Sequence, residues 1–137
     1  MSNLATVDIK AFVPAKDFEL SKRFYVDLGF ELGWSSDELA YFHAGESGFL
    51  LQRFYVKEHA DNFMMHMLVE DVESWWRQVS SRQLDTKYGV RVSPPADRPW
   101  GIRDFIVDDP TGILWRIGQS IASAEQAAAG DAQDTHA

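Results

Sequence analysis

The apolar pattern of this chain runs through one order of elements twice, and that repeat restricts the possible fold more than any other feature. Val7-Asp8-Ile9-Lys10-Ala11-Phe12-Val13 alternates as a strand and is expected to stop at Pro14. Asp17 is placed to cap a helix whose buried face is Leu20, Phe24, Tyr25 and Leu28, with Gly29 to end it. Strands are predicted around Phe30–Trp34, Leu39–His43 and Phe49–Val56, separated by Ser35-Ser36-Asp37 and Gly45-Glu46-Ser47-Gly48. Roughly fifty residues on, the order recurs. Phe63–Val69 reads as a strand, Asp71 as an N-cap, and Val72, Trp75, Trp76 and Val79 as a helical face. Further strands are predicted near Thr86–Val92, Ile102–Val107 and Ile113–Gly118, the last two joined by the turn Asp109-Pro110-Thr111-Gly112. The Pro-rich run from Ser93 to Pro99 is expected to be a connecting loop.

The expectation is therefore an α+β fold of two βαβββ modules, about 6–58 and 61–119, within a single domain spanning 1–121. A helix covers only one face of such a module's sheet. The other, concave face needs a partner, so two modules set side by side, within a chain or between chains, would form a sheet-lined cleft. At 137 residues the chain suits one domain. Its 45% apolar content against 25% charged supplies enough surface to bury a core. Without cysteine there is no disulfide framework, thiolate ligand or thiol nucleophile. The net charge of −8 and the lack of a basic stripe argue against nucleic acid as a partner. No apolar run approaches the ~18 residues of a membrane span, and no leader pattern opens the chain, so a soluble cytoplasmic protein is expected. Residues 122–137 form an Ala-rich tail with Glu125, Asp131 and Asp134, expected to be flexible and given no role.

Ser21-x-x-Phe24-Tyr25-x-x-Leu28-Gly29-Phe30, with the preceding stretch from Phe12, resembles the opening signature of the vicinal oxygen chelate superfamily, which joins glyoxalases, bleomycin-resistance proteins and extradiol dioxygenases. Val69-Glu70-Asp71-Val72 is similar to that superfamily's approach to its second helix, and Asp109-Pro110-Thr111-Gly112 to its D-P-x-G hairpin. These anchors span Lys10 to Gln119. Four strand positions supply divalent-metal ligands in its enzymes, and the resemblance puts them on Lys10, Gln52, Met64 and Arg116. Ammonium and guanidinium groups are cations that offer only donors, and a thioether is a poor ligand for a hard ion. His66, two residues from Met64 on the same strand face, leaves at most a two-ligand remnant with Gln52. No metal, no other cofactor and no catalytic residue are assigned.

The metal-free, antibiotic-binding branch is the better match. Pro99-Trp100-Gly101, then Asp109 to Arg116 as D-P-x-G-x-L-x-R, and Gly118-Gln119 are similar to segments of bleomycin-resistance proteins, in which the aromatic of the W-G element sandwiches a flat heteroaromatic ligand across a dimer interface. The resemblance thus implies a homodimer that sequesters a small molecule, with Trp100 as a stacking residue. Trp34 and Tyr41 are further stacking candidates by position. Gln52, His66, Arg103 and Arg116 complete the expected ligand-binding set, Arg103 on alternation alone. Lys10 and Arg116 could meet a ligand anion or an internal acid. Trp75 and Trp76 fall on the helical stripe and are assigned to the core. Two other readings stay open: an enzyme of the same superfamily, lyase or dioxygenase-like, with an atypical site, and a regulatory module in which Trp100 belongs to a protein interface.

Overall fold

The computed structural model describes residues 2–121, so the predicted tail lies outside the described residues. Its first sheet is built from β1 (Phe12–Pro14), β2 (Glu31–Ser35), β3 (Leu39–Ala44) and β4 (Ser47–Gln52) in the order β1-β4-β3-β2, with α1 (Phe18–Leu28) between β1 and β2. A short helix, α2 (Lys57–Ala60), leads to the second sheet. There β5 (Met64–Leu68), β6 (Val92–Arg98), β7 (Ile102–Asp108) and β8 (Leu114–Ser120) take the order β5-β8-β7-β6, and α3 (Val72–Ser81) and α4 (Leu84–Tyr88) lie between β5 and β6. In both sheets the first strand pairs parallel to the fourth and the others pair antiparallel. The two βαβββ modules are thus one topology repeated.

Local chemistry starts the two predicted helices, α1 and α3, where the sequence places them, and ends the first of them as expected. The Asp17 carboxylate accepts from Leu20 N at 3.2 Å and that of Asp71 from Glu73 N and Ser74 N, satisfying amides that have no partner within the helix. Gly29 ends α1, its N–H donating to the carbonyls of Tyr25 and Val26.

Three expectations are corrected. The first strand is Phe12–Pro14 and includes the proline; the register Phe12↔Leu50 would set Ile9 against Ser47, where β4 begins, so among the described residues no strand pairs with those farther upstream. Val7 and Ile9 are accordingly exposed. The segment predicted as strand Thr86–Val92 reaches a strand only at Val92, and its first part, Thr86 to Tyr88, belongs to α4, held because Leu84 is buried, the Tyr88 ring packs edge-on to Phe24 at 5.2 Å and the Tyr88 hydroxyl donates to Asp27. The Pro-rich run is not a loop but β6. It is an edge strand, and its register breaks between Ser93 and Ala96, so Pro94 and Pro95 sit where a missing N–H costs least.

One core serves both modules. The Tyr25 ring of α1 lies 4.9 Å from Phe49 of β4 and 5.6 Å from Trp115 of β8, and Phe49 and Trp115 are themselves 5.2 Å apart, centroid to centroid. Trp75 packs against Phe30 and Trp76 against Phe105, so both tryptophans of α3 join the core as expected. A polar thread crosses this core: Trp115 Nε1 donates to Tyr25 Oη at 2.9 Å, and Tyr25 Oη donates to Asp109 at 2.5 Å. The other Asp109 oxygen accepts from the amides of Thr111, Gly112 and Ile113, each at 2.9 Å, which closes the β7–β8 turn. Because both sheets turn their helix-side faces to this core, their opposite faces point outward and away from each other.

Candidate ligand-binding site

Strand parity assigns the outward residues. In the first sheet Val13, Ala40, Phe42, Phe49 and Leu51 are buried, so Phe12, Trp34, Tyr41, His43, Leu50 and Gln52 lie on the other face. The Tyr41 ring rests on that face because the strands beside it carry glycine. A Cβ on Gly33 would come within 2.6 Å of the ring and one on Gly48 within 2.8 Å. On either side of Tyr41 stand Trp34, with centroids 6.4 Å apart and planes at 30°, and His43, at 5.4 Å and 19°. The Lys10 ammonium lies 5.2 Å from the Tyr41 centroid. The result is a row of three near-parallel rings on the outward face, where Trp34 is 49% exposed and Tyr41 and His43 are partly buried. Gln52 sits farther along the face, beside a cavity of about 190 Å³ shared with Phe12, Phe54 and Phe63.

The outward face of the second sheet carries Met64, His66 and Leu68 of β5, Leu114, Arg116 and Gly118 of β8, Ile102, Asp104 and Ile106 of β7, and Arg98 of β6. His66 and Arg116 are register partners. Asp104, only 1% exposed, accepts from Arg98 Nε at 2.8 Å and from Arg116 at 3.1 Å. Trp100 caps the β6–β7 turn and is 62% exposed.

Arg103 has the opposite parity. It shares a face with Phe105 and Val107, and its guanidinium reaches Glu73 of α3 at 2.8 Å and Asp97 at 3.0 Å. It therefore stands apart from the outward set. Within one chain Trp34, Tyr41 and Gln52 fall on one outward face and His66 and Arg116 on the other, so these two groups do not meet. Sequence reading missed His43, which extends the ring row, and the Arg98–Asp104 pair; Arg98 was hidden by the expectation that its segment is a loop.

The donors do not fit a divalent metal. Lys10, Gln52, Met64 and Arg116 include two cations and a thioether, and among the described residues no group of three or more His, Cys, Asp or Glu is arranged to hold an ion.

The profile of the Glyoxalase/Bleomycin resistance protein/Dioxygenase superfamily matches residues 7–117. The chain belongs to this superfamily. Among solved structures it resembles a bleomycin-binding protein complexed with bleomycin, at 24% identity and a TM-score of 0.71, covering 84% of this chain and 99% of that one. It also resembles the bleomycin-binding protein of bleomycin-producing Streptomyces verticillus complexed with copper(II)-bleomycin, at 22% identity and a TM-score of 0.67 over 87% and 100% of the two chains. Lactoylglutathione lyase from Agrobacterium tumefaciens is a third relative by fold, at 16% identity and a TM-score of 0.63 over 84% and 94%. At these identities the likeness is one of fold, and superfamily membership alone does not choose between binder and enzyme. No curated protein sequence matches the chain.

Proposed function

We propose that this superfamily member is a metal-free, cytoplasmic, homodimeric binding protein that sequesters a flat aromatic, antibiotic-like small molecule. The observation that carries the reading is the outward row of Trp34, Tyr41 and His43, whose near-parallel rings offer a stacking floor for a planar ligand. Exposure supports the second copy. Phe12 and Trp34 on one outward face and Met64 and Leu68 on the other are each about half exposed, with Leu4, Val7 and Ile9 more so. A second copy seated on these faces would take this apolar surface out of water. Setting the first sheet of one copy against the second sheet of another covers both faces at once and gives two equivalent clefts. Each cleft would then join Trp34, Tyr41 and Gln52 of one protomer to the His66 and Arg116 positions of the other, with Trp100 at its rim.

The test is a tryptophan-fluorescence titration of metal-stripped protein with bleomycin-type and other planar aromatic antibiotics, beside Tyr41→Ala and Trp100→Ala, with light scattering on the same samples. Saturable quenching at micromolar ligand, lost in Tyr41→Ala and weakened in Trp100→Ala, is expected from a dimer. A monomer, or silence across the panel together with metal-dependent turnover of a glyoxalase or dioxygenase substrate, would overturn the proposal.

A further inference from the structure

The outward face of the second sheet holds more positive charge than it neutralises. Asp104 lies over Gly118, where a Cβ would come within 2.9 Å of the Asp104 Cβ and 2.7 Å of Ile102, so this glycine makes room for the buried carboxylate. Two guanidinium groups share that carboxylate: Arg98 through Nε, and Arg116 through one terminal nitrogen. Within strands β5 to β8 the other outward acid, Asp108, is already paired with Arg91. Among the described residues, the two terminal nitrogens of Arg98 and the Nε and second terminal nitrogen of Arg116 make no hydrogen bond. Both side chains are already about three-quarters buried, at 25% and 29% exposure. Covering the face with a second copy would desolvate the surplus cation further, which is costly unless an anion meets it.

We infer that the ligand carries an acidic oxygen group, a carboxylate or its phosphate or sulfonate counterpart, which seats on the free guanidinium edges of Arg98 and Arg116. This inference rests on the binding reading above and sharpens it: one wall supplies the aromatic floor, the other an anion seat. Guanidinium suits the task because its planar donors meet an oxyanion in pairs, and Asp104 fixes both forks in place beforehand. Arg98 and Arg116 then act as specificity determinants, and Asp104 as the residue that positions them.

Matched probes test this: 2-naphthoate and its neutral isostere 2-naphthamide, titrated calorimetrically into the dimeric full chain. The carboxylate is expected to bind at least about tenfold tighter than the amide. Arg116→Gln, which leaves Asp104 paired with Arg98, should cut that ratio to about threefold or less, Arg98→Gln should lower it as well, and Arg116→Lys, which keeps the charge but not the planar pair of donors, should restore it only in part. Tyr41→Ala should weaken both probes alike. Equal affinity for the two probes, with both weakened by Tyr41→Ala, would leave the aromatic-binding proposal standing and overturn this one. So would an unchanged ratio in Arg116→Gln accompanied by loss of the dimer in light scattering, since the surplus charge would then be meeting an acid of the second copy. Failure of both probes to bind wild type would overturn both proposals.

Discussion

Asp109 is a carboxylate locked into the core, and its titration gives a sharp test of how the two modules are joined. Burial pushes its pKa up from an ordinary 3.8 to about 6, although the Tyr25 hydroxyl and three turn amides all favour the charged form. Burial and the neighbouring Asp109 charge in turn push the Tyr25 phenol well above its ordinary range, so it remains a neutral donor. The native protein therefore keeps the Asp109 proton up to about pH 6, whereas the unfolded chain loses it near 3.8. Between those values the unfolded state binds fewer protons, so this group's stabilising contribution is fully present below 3.8 and is lost as pH rises through 6. The separation corresponds to about 3 kcal/mol, of which about 2 kcal/mol falls between pH 4 and pH 7. Asp27 and Asp71, whose pKa values are held low, act in the opposite sense, so total stability will not show the effect cleanly. The difference between wild type and Asp109→Asn isolates it, because the variant keeps an acceptor for the turn amides but cannot titrate. Urea denaturation followed by tryptophan fluorescence at pH 4, 5, 6 and 7 should show wild type losing about 2 kcal/mol relative to Asp109→Asn across that range. Parallel stability curves, or an Asp109 carboxyl carbon that titrates near 4 by NMR, would refute the reasoning.

Tyr25→Phe removes a hydroxyl that both gives to Asp109 and takes from Trp115, so two buried polar groups lose a partner. A cost of about 2–5 kcal/mol is expected in the same denaturation assay, and a loss under 1 kcal/mol would mean the thread is incidental. Gly33→Ala places a Cβ 2.6 Å from the Tyr41 ring and should tilt it off the sheet; planar-ligand affinity should fall several-fold while stability changes by about 1 kcal/mol, and unaltered binding would mean the ring does not have to lie flat.

Much of the fold was legible because its signals are local. An aspartate ahead of α1 and of α3, glycine after the first, and alternating runs on either side fix the βαβββ order without knowledge of the packing. The errors arose where packing overrode local preference. Thr86 to Tyr88 reads as strand by residue type, yet Leu84 and Tyr88 gain more from docking on α1 as a turn of helix. Pro94 and Pro95 read as a loop because proline gives the ladder no N–H, but on an edge strand with a register break none is missed. The upstream alternation at Val7 and Ile9 is genuine, and among the described residues no strand reaches it.

The site was legible only in residue type, because facing depends on register, which the sequence does not display. Arg103 and Arg116 look equivalent until the pairing sets one against α3 and the other outward. The glycines matter most, and they link the two modules. Gly48 on β4 and Gly118 on β8 occupy the last strand of their modules, and each leaves room for a side chain from the preceding strand to lie over the sheet. In the first module that space is taken by the Tyr41 ring, in the second by the carboxylate of Asp104 with its two arginines. One structural device therefore yields an apolar floor on one outward face and a charged seat on the other. Two such faces are useful to a single ligand only when they oppose each other, and within one chain they point apart. In the proposed dimer, pairing the first sheet of one copy with the second sheet of another would cover the exposed apolar residues and complete the proposed binding chemistry in the same step.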